Sequence, residues 1–186
     1  PINGLRVEGP SLEPEMRSFI GCIDMPLRHG MTIGELAMMV NSDQQPKANL
    51  RVVKMKNWHR DDWFDSTGLT WVDPSPNMRS LNAALLYPGI GMLEHAKAYS
   101  VGRGTDAPFE QIGADWIDGR KLAAYLNERR VPGIRVYPTI LRPTASNYQG
   151  KTIQGVRFVI TDRDAFSSTR FGLEVGAALA KLFPGK

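Results

Sequence analysis

Two hydrophobic periods alternate between residues 119 and 183, and this constrains the fold more than any other feature of the sequence. Apolar residues in GRKLAAYLNERR and SSTRFGLEVGAALAKLF recur at the spacing of amphipathic helices. Between them, GIRVYPTILRP predicts a strand, and the alternation of Val156, Phe158 and Ile160 with their neighbours predicts a half-buried strand. The sequence therefore belongs to the mixed classes, α/β or α+β, and periodicity alone does not choose between them. The last helix is expected to bury Phe171, Val175, Ala178, Leu179 and Leu182.

Two further helices are predicted upstream. MTIGELAMMVNSD carries an apolar stripe, and PSPNMRSLNAALLYPG is expected to be capped by Ser75, with Pro76 as the first helical residue and a Pro-Gly stop. Residues 19–23 and NLRVVKMKNW (49–58) predict short strands, and residues 57–73 read as a loop that holds three tryptophans. The apolar neighbours of Cys22 suggest a buried thiol.

Composition narrows the classes of function. With 186 residues and 42% hydrophobic content, the chain can bury one substantial core in one domain or in two packed lobes. The net charge of +4 is spread along the chain without a basic run, so no nucleic-acid partner is expected. One cysteine and three scattered histidines give no metal-ligand spacing, and no cofactor is expected because neither phosphate-loop fingerprint occurs. No apolar run reaches membrane-spanning length.

The stretch SVGRGTDAPFE (100–110) is the first candidate site. Arg103 lies between Gly102 and Gly104, and a guanidinium matches the planar geometry of a carboxylate or phosphate. Two interpretations stay open from these residues. Either the segment is a tight turn with a solvated arginine, or the glycines clear the backbone so that a polar ligand can approach.

Three other segments carry candidate residues. In LRHGMTIGEL, Arg28 and His29 precede a helix start, where free N–H groups favour anions. Glu35 has the T-x-x-E spacing of a capping box, and it is either a cap, a ligand-binding carboxylate or both. Asn77 is either a spare polar residue or a ligand donor. Glu94 follows an apolar run and is either a surface residue or a general acid.

The inventory as a whole suits a saccharide. No G-x-S-x-G elbow and no Cys/His pair is present, which disfavours acyl transfer. Carboxylates can act on a glycosidic bond, aromatic faces can contact sugar rings, and polar groups can bind hydroxyls.

Seven segments, in order, resemble one family. PINGLRVEGP, SFIG, PLRHGMTIGELA, GLTWVDPSPNM, ALLYPGIGMLE, SVGRGTDAPFEQIGADWID and the later PT of RPTASNYQG are together similar to the bacterial exo-β-N-acetylmuramidases. Those glycoside hydrolases remove terminal N-acetylmuramic acid from peptidoglycan fragments. The resemblance implies a Rossmann-like N-terminal lobe and a C-terminal lobe. Residues 1–45 would be the end of the first lobe, whose remainder would be a missing partner, and residues 46–186 a C-terminal α+β lobe truncated at its end.

The resemblance also implies roles for individual residues. Glu94 is expected to be the general acid, and Glu35 the base, nucleophile or orienting group. Whether the mechanism retains or inverts depends on a carboxylate separation that a sequence does not give. Arg103 is expected to bind the lactyl carboxylate of muramic acid. The other expected substrate-binding residues are Arg28, His29, Asn77, Thr105 and Glu110.

One departure from the family pattern keeps rival functions open. Relatives usually have Gly-Thr-Asn after the carboxylate, whereas here Glu94 is followed by His95, Ala96 and Lys97. A peptidoglycan-sugar binding protein without catalysis is therefore the alternative, and an anion- or nucleotide-binding regulatory domain is a third possibility based on the glycine loop. The resemblance implies a bacterial protein that is secreted or periplasmic.

Overall fold

Buried apolar side chains are concentrated in the second of two units into which the chain divides. The structure is a computed structural model that describes residues 1–43 and 45–186. The units are Pro1–Trp71 and Val72–Lys186. Among the described residues, all buried apolar side chains lie in the second unit, and the first of them along the chain is Ala83.

The first unit is held mainly by hydrogen bonds between loop segments. It contains one α-helix, α1 (Ile33–Asp43), and two 3-10 turns, Pro14–Met16 and Phe64–Thr67. The backbones of Glu8 and Arg28 exchange two hydrogen bonds of 2.9 and 3.1 Å, and the Gly4 N–H donates to the Arg60 carbonyl at 2.7 Å. These bonds connect stretches that are far apart in the sequence without forming a sheet.

Several predictions for the first unit are wrong. Residues 19–23 form a turn rather than a strand, and residues 49–58 are unpaired, because a strand needs a partner that the described part of this unit does not offer. Cys22 is exposed rather than buried. Helix α1 is confirmed, yet its apolar stripe is not buried, since Ile33 is 87% exposed.

Helix α2 (Leu81–Ile90) begins later and ends later than predicted. Its N-cap is Ser80, whose hydroxyl accepts the Ala83 N–H at 2.9 Å, and not Ser75. The helix continues through Pro88, the expected stop. The Ser168 hydroxyl accepts the Gly89 N–H at 2.9 Å and donates to the Leu86 carbonyl at 3.0 Å, which satisfies backbone groups around the proline.

A three-stranded antiparallel sheet lies beside the helices of the second unit. It consists of β1 (Gln111–Ala114), β2 (Ile134–Leu141) and β3 (Ile153–Ile160), in the order β1-β3-β2. Helix α3 (Gly119–Glu128) connects β1 to β2, and α4 (Ser168–Leu182) follows β3. These two helices and the strands β2 and β3 confirm the predicted pattern, and β1 was not predicted.

The core of the second unit joins the sheet to its helices through aromatic rings. Phe171 of α4 lies 5.0 Å from the Phe158 ring and 5.9 Å from the Phe166 ring, both edge to face. Val156 and Phe158 are buried as predicted, while Leu182 at the end of α4 is half-buried. The predicted mixed α+β class is confirmed.

The last two features of the fold are the boundary between the units and the lengths of the helices. The units divide at residue 71, further along the chain than the predicted boundary between residues 45 and 46. That boundary refers to the lobes of a longer family protein and stays a prediction. Within the described residues, no helix has the length and apolar character needed to cross a bilayer.

Candidate active site

A polar hollow of about 840 Å³ lies in the second unit, and residues of all three strands contribute to its lining. Three loops surround it: the segment before α2, the glycine loop at residues 104–106 and the segment after β2. Its volume falls within the range typical of ligand pockets. The lining residues are Pro76, Asn77, Arg79, Gly104, Thr105, Asp106, Gln111, Thr139, Ile140, Leu141, Arg142, Thr144, Ala145 and Arg157. Of the predicted site residues, Asn77 and Thr105 line this cavity.

Glu94 and Arg103 form an ion pair beside the glycine loop. The Arg103 Nε–H donates to Glu94 Oε1, and the Arg103 guanidinium lies 5.0 Å from the centre of the Phe109 ring. The Arg103 side chain is 30% exposed and the Glu94 side chain 22%, so the pair is only partly shielded from water. The structure therefore brings two predicted site residues together. Neither lines the cavity, although Gly104, which follows Arg103 in the chain, does.

The glycines of this loop serve packing between loops rather than open space for a ligand. Gly104 has φ of +76°, and a Cβ there would lie 2.3 Å from the Ala145 backbone nitrogen. The neighbouring loop closes over it, because the Thr144 N–H and hydroxyl both donate to the Gly104 carbonyl, at 2.8 and 2.7 Å. Of the two interpretations of the sequence, the structure supports a tight turn, although its arginine is paired rather than solvated.

Thr105 and Asn77 differ in how fully they are engaged. The Thr105 hydroxyl donates to the Gly102 carbonyl at 2.6 Å and accepts from Gln111 Nε2 at 2.8 Å, so it mainly orders the loop. Asn77 Oδ1 accepts the Gly104 N–H at 3.4 Å. Among the described contacts the Asn77 amide nitrogen donates to no protein group, which makes it the more available of the two for a ligand.

Glu110 connects the cap of α2 to the cavity wall. Its Oε1 accepts from the Ser80 hydroxyl at 2.6 Å, and its Oε2 accepts from Arg157 Nη2 at 2.9 Å. Glu110 is 8% exposed and does not line the cavity. These contacts favour an indirect role in which Glu110 positions Arg157, and its predicted direct contact with substrate stays a prediction.

The predicted residues of the first unit hold its own loops together. Arg28 is 4% exposed and donates to Glu8 Oε1 at 2.7 Å and to Asn3 Oδ1 at 3.2 Å. Burial lowers the pKa of Arg28, and the charge of Glu8 partly offsets this. His29 Nδ1 accepts the Met31 N–H at 3.1 Å. Their predicted substrate contacts stay predictions.

Glu35 is a helix cap. Its Oε2 accepts the Thr32 N–H at 2.8 Å, and its own N–H donates to Thr32 Oγ1 at 3.2 Å, which confirms the capping box. Its Oε1 accepts from the Arg60 guanidinium. The hydrogen bond from the Thr32 backbone, helped by Arg60, lowers the pKa of Glu35. Both carboxylate oxygens are thus engaged, and the predicted catalytic role stays a prediction.

Sequence reasoning missed most of the cavity wall. Arg79, Arg142 and Arg157 lie in three separate segments, and no motif marks them as neighbours. One signal was present: the strand alternation that buries Val156 and Phe158 places Arg157 on the opposite face, where its register partner is Gln111 of β1.

Groups of His, Cys, Asp or Glu able to hold a metal ion do not occur among the described residues.

Comparison with known structures defines the class of protein. The fold matches the crystal structure of a DUF1343 family protein from Bacteroides fragilis, with a TM-score of 0.93 and 35% sequence identity. The match covers 99% of this chain and 48% of that chain. The mixed helices and small antiparallel sheet are therefore consistent with the DUF1343 fold.

Comparison of sequences identifies the family. The family model described as Exo-beta-N-acetylmuramidase NamZ, N-terminal, matches residues 1–82, and the corresponding C-terminal model matches residues 85–186. Peptidoglycan beta-N-acetylmuramidase NamZ of Bacillus subtilis is 44% identical over 184 residues, which cover 99% of this chain and 44% of that protein. The chain belongs to the NamZ exo-beta-N-acetylmuramidase family, as its motifs predicted. It spans less than half the length of either relative.

Proposed function

We propose that the protein is a glycoside hydrolase that removes terminal β-linked N-acetylmuramic acid from peptidoglycan fragments. The proposal is supported by membership of the family and by the name of the Bacillus subtilis relative. Two observations within the chain carry it: the ion pair of Glu94 with Arg103, and a polar cavity large enough for a sugar unit, which the same loop lines from Gly104 onward.

Glu94 is the catalytic carboxylate of this proposal. Glycoside hydrolysis needs one group that protonates the leaving oxygen and a carboxylate that activates water or attacks the anomeric carbon. The ion pair with Arg103 holds and orients the Glu94 side chain. The general acid is the role that the family resemblance implied for Glu94, and it is the role proposed here.

Arg103 is the partner of Glu94 in this arrangement. The family resemblance assigned it to the lactyl carboxylate of muramic acid, whereas its observed partners are Glu94 and the Phe109 ring. Binding the substrate carboxylate would require Arg103 to give up Glu94. We therefore propose Arg103 as the group that orients Glu94, and its contact with the lactyl carboxylate stays an implication of the resemblance.

The experiment that tests the function measures product release by the protein expressed from its complete reading frame. A chromogenic N-acetylmuramic acid β-glycoside and its N-acetylglucosamine counterpart are compared, with chromophore release and calorimetric binding measured in parallel. Release from the muramic acid compound alone is the expected result. Binding without release would support the sugar-binding alternative, which the unusual EHAK segment at residues 94–97 suggests.

The partner and location of the protein are part of the same proposal. The first unit exposes large apolar side chains, among them Phe19 at 100% and Val53 at 86%. We propose that the remainder of a Rossmann-like lobe covers this surface. Action on peptidoglycan fragments would place the protein outside the cytoplasm, in the secreted or periplasmic fraction, where an antibody against residues 119–130 would detect it.

A further inference from the structure

The cavity of the second unit carries an excess of positive charge. Arg79, Arg142 and Arg157 line it, and Asp106 is the acidic residue of the lining. An excess of guanidinium groups in a concave site attracts anions, because the walls focus the field of the charges. The occupant that this cavity favours is therefore negatively charged.

The three arginines differ in what already neutralises them. Arg157 is paired with Glu110 at 2.9 Å. Among the described residues, neither Arg79 nor Arg142 forms an ion pair with a carboxylate, and Arg142 uses only its Nε, which donates to the Gly150 carbonyl at 3.1 Å. Two guanidinium groups are thus available for an incoming anion.

The backbones on either side of the cavity are fixed by local structure. Arg79 immediately precedes Ser80, whose hydroxyl caps α2 and also donates to Glu110. Arg142 immediately follows Leu141, the last residue of β2, and its Nε bond to Gly150 leaves both Nη groups free to donate. A guanidinium with two free N–H donors matches the two oxygens of a carboxylate.

We propose that Arg79 and Arg142 form a subsite that binds a carboxylate of the muramic acid residue, so that they, rather than Arg103, select an acidic over a neutral amino sugar. The inference rests on the proposed function, since it takes the saccharide class from there. Neighbouring groups suit the rest of a sugar: the Asn77 amide can donate to a hydroxyl, and Ile140 offers apolar surface. Arg103 then stays with Glu94.

The test is calorimetric binding to the protein expressed from its complete reading frame. Wild type, Arg79→Ala, Arg142→Ala and Arg142→Gln are titrated with N-acetylmuramic acid and with N-acetylglucosamine. The glutamine variant keeps an amide donor for the Gly150 carbonyl and thus protects the loop. Arg135→Ala is the matched control. The substitution removes the same charge, and Arg135 is an exposed residue of β2 that does not line the cavity.

Each cavity variant is expected to weaken binding of N-acetylmuramic acid by at least about 10-fold, the typical effect of losing a hydrogen-bonded charge. Binding of N-acetylglucosamine and the control variant should change by less than about 2-fold. The neutral methyl amide of N-acetylmuramic acid separates the two sources of a carboxylate, the lactyl group itself and an attached peptide. If the lactyl group is bound, as proposed, the amide loses affinity. Tighter binding of N-acetylmuramoyl-L-alanine than of N-acetylmuramic acid would assign Arg79 and Arg142 to the peptide carboxylate and overturn the proposal.

Failure of the inference and failure of the proposed function are distinguishable. Wild-type protein that binds N-acetylmuramic acid through Arg79 and Arg142 but releases no product would support the subsite and refute the hydrolase. Release of product with unchanged affinity and unchanged KM in all three variants would overturn the subsite and leave the hydrolase standing. Wild type that does not distinguish the two sugars would also overturn the subsite.

Discussion

The two units of this chain reach order by different physical means. The first unit is tied together by buried and half-buried polar groups such as Arg28 and Arg60, and its apolar residues are largely exposed. The second unit packs α2, α3 and α4 against a three-stranded sheet around buried aromatic and aliphatic side chains. Most of the chemistry proposed here belongs to the second unit, where a packed core can hold a cavity and an ion pair in fixed positions.

A substitution in the core of the second unit should reduce the free energy of unfolding most. Phe171→Ala removes a ring that contacts Phe158 and Phe166 in the core and should destabilise the unit by about 3–5 kcal/mol. Hydrogen exchange followed by mass spectrometry should show faster exchange across β3 and α4. Phe19→Ala is the matched control, because Phe19 is wholly exposed in the first unit and its loss should leave exchange in those elements unchanged. Equal effects of the two substitutions would remove the contrast between the units.

The second prediction tests whether polar groups hold the first unit. Arg28→Ala removes the ion pair with Glu8 and the hydrogen bond to Asn3 from a buried position, and should cost about 3 kcal/mol. Exchange should accelerate in residues 1–43 and stay unchanged in α4. Arg6→Ala, which alters a less buried arginine of the same unit, should have a smaller effect. Protection of residues 1–43 that survives the loss of Arg28 would show that apolar contacts hold this unit after all.

The smallest effect concerns the cap of α1. Because its folded pKa is lowered, Glu35 contributes stability above the ordinary carboxyl pKa of ~4.3, and this contribution is lost as the pH falls through the lowered value. Glu35→Gln should lower Tm near neutral pH by an amount equivalent to less than about 1 kcal/mol. The difference between the two proteins should vanish in acid. A difference in Tm that stays constant from neutral to acid pH would contradict this assignment.

The sequence predicted the elements whose burial pattern is local. Amphipathic periods identified α3, α4, β2 and β3, because each of these elements buries one face and exposes the other. The strand β1 was missed because all four of its residues are buried, so its sequence does not alternate. The strand expected at residues 49–58 failed because pairing depends on a distant partner, which local pattern does not encode.

For the site, too, the sequence predicted the residues that are marked by their type or local spacing and missed those that distant segments bring together. Glu94 and Arg103 could be chosen by residue type and by the family resemblance, and the structure pairs them. The capping box of Glu35 was readable from its spacing to Thr32. Arg79 and Arg142 could not be found in this way, because their meeting at one cavity depends on where α2 begins and where β2 ends. Convergence of distant segments is what the sequence alone does not reveal.

The catalytic carboxylate is proposed to lie in the second unit, and a comparison of Glu94→Gln with Glu35→Gln decides this. Glutamine conserves the shape of both side chains and still completes a capping box at position 35. Rates of muramic acid release and Tm are measured for both variants. Glu94→Gln should lower kcat by about 1,000-fold or more with little change in Tm, whereas Glu35→Gln should keep most of the rate. Near-normal turnover with Glu94→Gln, or a collapse of turnover with Glu35→Gln while Tm falls only by the small amount expected from the cap, would place the catalytic carboxylate elsewhere.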